Sequence, residues 1–171
     1  MSDRRALHLD VAACLLLAAG MVVALCVFSC DPADPPAADV FPPRETPANL
    51  LGLPGAWVAR ELFQALGVAV YALLASWFLM VVLLFLRQQL LTWSLRLAGS
   101  LLLVPCAAVL ADWLGPERLG GPVVGSGGSL GAWVSDELAA SFGPISQGLF
   151  LTACIAVGLL LTADVVLFRV G

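Results

Sequence analysis

Twenty uncharged residues decide the fold of this chain: residues 67–86 read GVAVYALLASWFLMVVLLFL. A helix of about 20 apolar residues is long enough to cross the hydrocarbon core of a bilayer. Backbone amides in hydrocarbon must be paired within the segment, and this stretch lacks the strict alternation of a barrel strand. It therefore predicts a transmembrane α-helix.

Three further apolar runs of similar length occur along the chain, at residues 11–30, 97–114 and 148–168. The composition agrees with four spans, because 61% of the 171 residues are hydrophobic and only 12% are charged. An average soluble domain is about 45–50% apolar and about 25% charged. The sequence therefore predicts an all-α integral membrane four-helix bundle, in a single domain over residues 1–171, and excludes a soluble globular enzyme.

The arginines predict the orientation of these spans, because cytoplasmic flanks retain positive charge. The chain has eight basic residues, and all of them are arginines. Five flank the spans on one face: Arg4, Arg5, Arg87, Arg96 and Arg169. The other three lie among nine acidic residues on the opposite face: Arg44, Arg60 and Arg118. Both termini are therefore expected to be cytoplasmic.

The absence of lysine limits the chemistry of the chain. No phosphate-loop lysine, Schiff-base lysine or polybasic nucleic-acid patch can be built from this sequence. We therefore expect the chain to contact the lipid bilayer, with no direct nucleic-acid binding.

The first outer loop, at about residues 31–54, is rich in proline. It contains seven of the eleven prolines of the chain and three aspartates. Such a segment has little to bury, so it is predicted to be an extended, solvated connector without a core of its own.

An internal repeat is the most informative pattern in the sequence. Residues 55–67 read GAWVARELFQALG and residues 131–143 read GAWVSDELAASFG, an offset of 76 residues. Each copy precedes a span on the same face, so the repeat is parallel. We predict two short amphipathic helices at the outer interface, at about 55–66 and 131–142, each hinged by glycine into the next span. The repeat motif comprises Gly52, Gly55, Trp57, Glu61, Leu62, Gly67, Gly128, Gly131, Trp133, Glu137, Leu138 and Gly143.

The paired glutamates of the repeat allow two interpretations. Acids near a membrane can form an ion or proton relay, which would make the chain a small multi-span transporter or channel subunit. Alternatively, Glu61 and Glu137 lie at the wet interface near a helix start, where a carboxylate is favoured by the helix dipole. Neither acid falls inside an apolar run, which favours the second interpretation.

Small residues recur at four-residue spacing on the last span. One row consists of Gly148, Thr152 and Ala156, and another of Cys154, Gly158 and Thr162. Such rows let helices approach closely. They predict packing within the chain, and the sequence does not separate this from oligomerisation.

Catalytic constellations are missing from the sequence. The one histidine, His8, is predicted on the cytoplasmic face, whereas Ser126 and Ser129 of the glycine-rich stretch are predicted on the outer face. The five cysteines contain no C-x-x-C pair and are interpreted as apolar packing residues. We expect no catalytic residue, cofactor or metal site. An alternative for Cys30 is lipoprotein processing, since an arginine-led apolar run precedes it.

The glycine and apolar motifs carry a resemblance to a known family. They are an N-x-x-G-x-x-G-A element at Asn49, an LG break at Leu66, a G-G-x-x-x-G element at Gly120 and an L-x-x-x-F-G element at Leu138. With the arginine-led first span, this pattern resembles the N-terminal four-helix membrane domain of bacterial DNA translocases of the FtsK/SpoIIIE family. The resemblance covers nearly the whole chain.

The resemblance implies a function for the chain as part of a larger machine. It implies a membrane anchor in the bacterial inner membrane at the division septum, in contact with divisome membrane proteins and active in cell division and chromosome segregation. It also implies a hexamer. ATP and Mg²⁺ are expected only in a downstream motor, and the end of the chain at Gly171 directly after the fourth span favours a segment of such a protein.

Overall fold

The computed structural model describes residues 2–36, 40–42, 44–86, 90–115, 119 and 125–163. Several residues used above lie outside this described part: Arg87, Arg118, Gly120 and Arg169. The described residues form helices and no strands, so the prediction of an all-α chain is confirmed.

The described helices follow one another with short breaks. They are α1 (Ser2–Phe28), α2 (Gly52–Leu66), a 3₁₀ turn (Gly67–Ala69), α3 (Val70–Phe85), α4 (Leu90–Leu114), α5 (Gly128–Ser141) and α6 (Pro144–Ala163). Within the described residues, four stretches are long and apolar enough to cross a membrane: Asp10–Phe28, Gly52–Phe85, Trp93–Leu114 and Pro144–Thr162. The second of these joins α2 to α3 through the 3₁₀ turn.

Both outer helices begin a few residues before the predicted positions. Gly52 has φ +65° and its N–H donates to the carbonyl of Asn49 at 2.8 Å. Gly128 has φ +64° and its N–H donates to the carbonyl of Gly125 at 3.0 Å. A left-handed glycine turns the chain directly into the first helical turn, so the helices start at these glycines and not three residues later.

The spans follow one another in space as α1, α3, α4 and α6. Helix α1 packs on α2 and α3, α3 packs on α4, and α4 packs on α5 and α6. Over the described residues the first and last spans make no extensive contact with each other. Helix α6 packs on one other span, α4, and only 11% of its own span is buried.

Each half of the chain has its own apolar cluster. The first lies among α1, α2 and α3, around Val27, Val70 and Leu74, with Leu62 packed against it. The second lies among α4, α5 and α6, around Val109 and Leu151, and includes Leu138. Leu62 and Leu138 are 76 residues apart in sequence. Each half therefore consists of a span, a shorter helix (α2 or α5) and a second span around one core.

Candidate interaction surface on the outer face

The two repeat copies meet at a contact between backbones. The N–H of Val68 donates to the carbonyl of Ser126 at 2.8 Å. A Cβ on Gly67 would lie 2.6 Å from the backbone nitrogen of Gly128, and one on Gly128 would lie 2.5 Å from the nitrogen of Gly67. Gly67 also has φ +56°, a conformation that other residues rarely adopt. Two glycines are therefore required where the end of α2 crosses the start of α5.

Ser126 extends this contact to the end of α4. Its side chain is fully buried, and its hydroxyl donates a short hydrogen bond to the carbonyl of Ala111. The backbone of Gly127 also approaches the carbonyl of Ala108 too closely for a side chain. The α2–α3 break, the end of α4 and the start of α5 are thereby joined at one place, on the side of the spans that the sequence predicts to be outer.

The first outer loop is tied to the helices by two buried polar residues. The carboxylate of Asp34 accepts hydrogen bonds from the N–H groups of Ala48 at 2.7 Å and Asn49 at 3.0 Å. The amide of Asn49 donates to the carbonyl of Cys26, near the end of α1, at 2.9 Å. The loop therefore differs from the solvated connector predicted above, because its polar side chains satisfy backbone groups that would otherwise be buried unpaired.

The exposed part of this surface carries the aromatic and acidic positions of the repeat. The side chains of Trp57 and Trp133 are 54% and 66% exposed, and Glu61 and Glu137 are exposed as well. A shallow apolar groove of about 400 Å³ lies beside α2 and is lined by Pro36, Leu53, Pro54, Trp57 and Val58. We call this exposed region, Leu53, Trp57, Glu61, Trp133 and Glu137, the outer surface.

The remaining repeat positions serve packing, and one differs between the copies. Gly55, Gly131 and Leu138 are buried, whereas Gly143 is exposed and a Cβ on it would meet nothing within 4 Å. The break before α6 lies at Phe142, whose backbone is extended with φ −133° and ψ 146°. The two predicted glycine hinges therefore differ. The one at Gly67 is a close contact between backbones, and the one near Gly143 is an open turn.

The structure separates the two small-residue rows of α6. Gly158 is buried against α4, where a Cβ would lie 2.8 Å from the Leu103 side chain, and Cys154 packs in the second apolar cluster. Thr152 and Ala156 are exposed, and a Cβ on Gly148 would meet nothing within 4 Å. One row therefore packs within the chain, and the other faces away from it.

Titratable groups do not converge on the outer surface. Among the described residues, no three metal-ligating side chains lie together. Just beyond α1, burial raises the pKa of the Cys30 thiol, and the negative charges of Asp34 and Asp31 raise it further. Glu61 and Glu137 line neither the groove beside α2 nor the cavity between the spans.

The family of this chain is identified by comparison with protein-family models. The family model for the 4TM region of DNA translocase FtsK/SpoIIIE matches residues 5–171. The chain belongs to this family. No curated protein and no solved structure matches it significantly.

As a FtsK/SpoIIIE 4TM domain, the chain is a multi-pass membrane domain and corresponds to the membrane region of the translocase. Arg96 does not lie where the sequence predicts it. Arg96 was assigned to the connection before the third span, but it lies inside α4, in the apolar stretch Trp93–Leu114, and is only 6% exposed. A signal was available, since the residues before it continue the helix without a glycine or proline.

Proposed function

We propose that this chain is the membrane anchor and protein-interaction module of a septal DNA translocase that acts in cell division and chromosome segregation. The family match over residues 5–171 carries the proposal. The module itself carries out no catalysis and binds no cofactor. ATP, Mg²⁺ and DNA belong to a motor elsewhere in the translocase.

The proposed topology places both termini in the cytoplasm and the outer surface on the far side of the bacterial inner membrane. The described residues contain four candidate spans, and this even number supports termini on one side. Arg4 and Arg5 in the first turn of α1, and Arg87 in the sequence between α3 and α4, support the cytoplasmic side. In this topology α2 and α5 lie as amphipathic helices at the outer interface.

The repeat is proposed to be an ancient duplication of a unit made of a span, an outer helix and a second span. Three equivalences support it. Gly52 and Gly128 both begin helices with φ near +65°, and Leu62 and Leu138 both pack in the cluster of their own half. The turns before α2 and α5 are also closed in the same way. The glycine that begins each helix donates its N–H to the carbonyl of Asn49 or of Gly125, and these two carbonyls are 76 residues apart.

The outer surface is the part of the chain proposed to contact divisome membrane proteins. Trp57 and Trp133 are large side chains left exposed on a rigid support, and aromatic residues of this kind are enriched in interface hot spots. Self-association, up to a hexamer, is proposed to use the row Gly148, Thr152 and Ala156 of α6. In the described part of the chain Thr152 and Ala156 are exposed, and a Cβ on Gly148 would meet nothing within 4 Å.

Septal localisation tests the proposed function. The chain carrying a cytoplasmic fluorescent protein should form a band at the division site of a bacterium that lacks its own copy of this domain. Trp57→Ala with Trp133→Ala should weaken the band at equal membrane abundance. Tyr71→Ala, at an exposed position on a span, is the matched aromatic control and should leave the band unchanged. A uniform membrane signal for the unaltered chain would refute the proposal.

A further inference from the structure

Arg96 is a charged residue buried within a span. Its side chain is 6% exposed, and its Nε atom is buried without a hydrogen-bond partner in the described part of the chain. Arginines near membrane surfaces normally extend their charged end to water. A guanidinium that is instead shielded needs an anion to offset its lost hydration.

Ser100 is a second unsatisfied polar group on the same helix. It is 5% exposed, and its hydroxyl has no hydrogen-bond partner in the described part of the chain. Residues four apart lie on the same side of a helix, and four residues rise about 6 Å along its axis. Ser100 is therefore one turn deeper in the membrane than Arg96.

Ser100 also lines a cavity between the spans. This cavity is an apolar groove of about 240 Å³ between α1, α3 and α4, and Leu97 and Leu101 extend its wall on either side of Ser100. Trp93, one turn before Leu97, lies at its shallow end. Arg96 does not line the groove itself, but it lies on α4 at the level where the groove begins, between Trp93 and Leu97 in sequence.

The other polar side chains along the groove have partners. The Ser76 hydroxyl donates to the carbonyl of Leu73 at 2.9 Å. The indole N–H of Trp77 donates to the carbonyl of Leu16 at 3.0 Å, and that of Trp93 donates to the carbonyl of Met80 at 3.3 Å. The Ser100 hydroxyl is thus the polar side-chain atom of this wall that still requires an acceptor.

We propose that Arg96, Ser100 and the groove bind one anionic phospholipid. The phosphate lies at the Arg96 guanidinium, an ester carbonyl oxygen accepts the hydrogen bond of Ser100, and an acyl chain lies along Leu101 and Val104, which line the groove beyond Ser100. The order of these groups with depth is the order of phosphate, ester and hydrocarbon in a phospholipid. In the topology proposed above, the lipid belongs to the cytoplasmic leaflet, but the site does not depend on that assignment.

Other occupants satisfy fewer of these observations. A purely hydrocarbon ligand would fill the groove but leave both polar groups unpaired. Free phosphate would pair with Arg96 but leave the groove empty. A carboxylate elsewhere in this chain would neutralise Arg96 and leave no preference for an anionic lipid. A comparison of phosphatidylglycerol with phosphatidylcholine distinguishes this case, because the chain would then retain both lipids equally.

Native mass spectrometry of the detergent-purified chain tests this proposal. The chain should retain one phosphatidylglycerol at least tenfold more strongly than phosphatidylcholine with the same acyl chains. Inorganic phosphate alone should not displace the lipid. Equal retention of the two lipids by the unaltered chain, or displacement by inorganic phosphate, would overturn the proposal without any variant.

Variants assign the site to the named residues. Arg96→Gln should abolish the preference for phosphatidylglycerol, Arg96→Lys should keep part of it, and Ser100→Ala should weaken retention of both lipids a few-fold. Leu101→Trp should fill the groove and reduce binding of both lipids. Arg44→Gln, an exposed arginine of the outer loop, is the matched control and should retain the full preference. The proposed site would be contradicted by a folded Arg96→Gln variant that keeps the full preference for phosphatidylglycerol. A folded variant that combines Arg96→Lys with Ser100→Ala and keeps the full preference would contradict it as well.

Discussion

Gly67 and Gly128 lie backbone against backbone, so that a Cβ added to Gly128 would be 2.5 Å from the nitrogen of Gly67. The hydrogen bond from Val68 to Ser126 closes the same contact. This contact joins the first half of the domain to the second at the base of the outer surface. The relative position of Trp57 and Trp133 therefore depends on two residues that carry no side chain.

Replacing either glycine should destabilise the domain. In Gly67→Ala and Gly128→Ala, the added methyl group meets backbone atoms and the residue keeps an unfavourable positive φ. A left-handed conformation alone costs about 1–2 kcal/mol, and the steric contact adds to it. We expect the free energy of unfolding in detergent to fall by about 2 kcal/mol or more for each variant, measured by denaturant or thermal titration of tryptophan fluorescence.

Gly143→Ala provides the control for these variants. It is the repeat equivalent of Gly67, but its Cβ would lie in open space and its φ is not positive. Its stability should match that of the unaltered chain. Equal stability of Gly67→Ala and Gly143→Ala would contradict the described contact.

Asn49→Ala should loosen the first outer loop. The change removes the hydrogen bond to the Cys26 carbonyl and the one that the Asn49 side chain accepts from the N–H of Leu51. Leaving buried backbone groups unpaired costs about 1–3 kcal/mol. The variant should unfold more easily and be cut faster by protease within the loop. Thr46→Ala, at an exposed position of the same loop, should behave like the unaltered chain.

The two faces of α6 should respond differently to a large side chain. Gly158→Leu places its side chain against Leu103 of α4 and should lower the stability of the monomer. Gly148→Leu meets open space and should leave the monomer stable while reducing self-association, measured by cross-linking in membranes. A stable Gly158→Leu variant would be inconsistent with the described packing of α4 on α6. Unaltered cross-linking of Gly148→Leu would remove this row from the proposed oligomer contact.

Cys30 should be modified slowly and from the outer side. Its thiol pKa is raised by burial and by the charges of Asp34 and Asp31, so the reactive thiolate is scarce at pH 7–8. The rate of labelling by a membrane-impermeant maleimide should rise about tenfold per pH unit until the raised pKa is reached. Asp31→Asn removes one like charge and should accelerate labelling at pH 8.

Two controls keep this measurement specific. Cys30→Ser should lose the pH-dependent label, and Arg44→Gln should break the 3.0 Å ion pair with Asp31 without removing the aspartate charge. Labelling of Cys30 that is faster than that of a free thiol at the same pH would be incompatible with the local environment described here. Acylation of Cys30 would block labelling altogether and would support the lipoprotein alternative.

The spans could be predicted from the sequence because an uncharged run of twenty residues has one stable arrangement in a membrane. Residues 67–86 gave the position of α3 to within a few residues for that reason. The contact between Gly67 and Gly128 could not be predicted, since the repeat reveals equivalent positions but not which backbones cross. The hydrogen bonds of Asp34 and Asn49 could not be predicted either, because composition alone indicates that a proline-rich loop is solvated.

Arg96 shows why the start of the third span could not be predicted from an uncharged run. One charge ended the predicted third span at residue 97, but α4 begins at Leu90 and continues through the arginine. A helix carries a buried charge when the charge can be neutralised locally, which a count of hydrophobic residues does not register. The residue that interrupted the pattern is therefore the one on which the lipid proposal depends.

The topology of the domain tests the central claim most directly. Dual reporters of alkaline phosphatase and green fluorescent protein would be fused after Arg44, after Gln88 and after Gly171 and expressed in bacteria. The account predicts phosphatase activity without fluorescence at Arg44, and fluorescence without phosphatase activity at Gln88 and Gly171. Phosphatase activity at Gly171 would contradict it, because the last span would then end on the wrong side of the membrane.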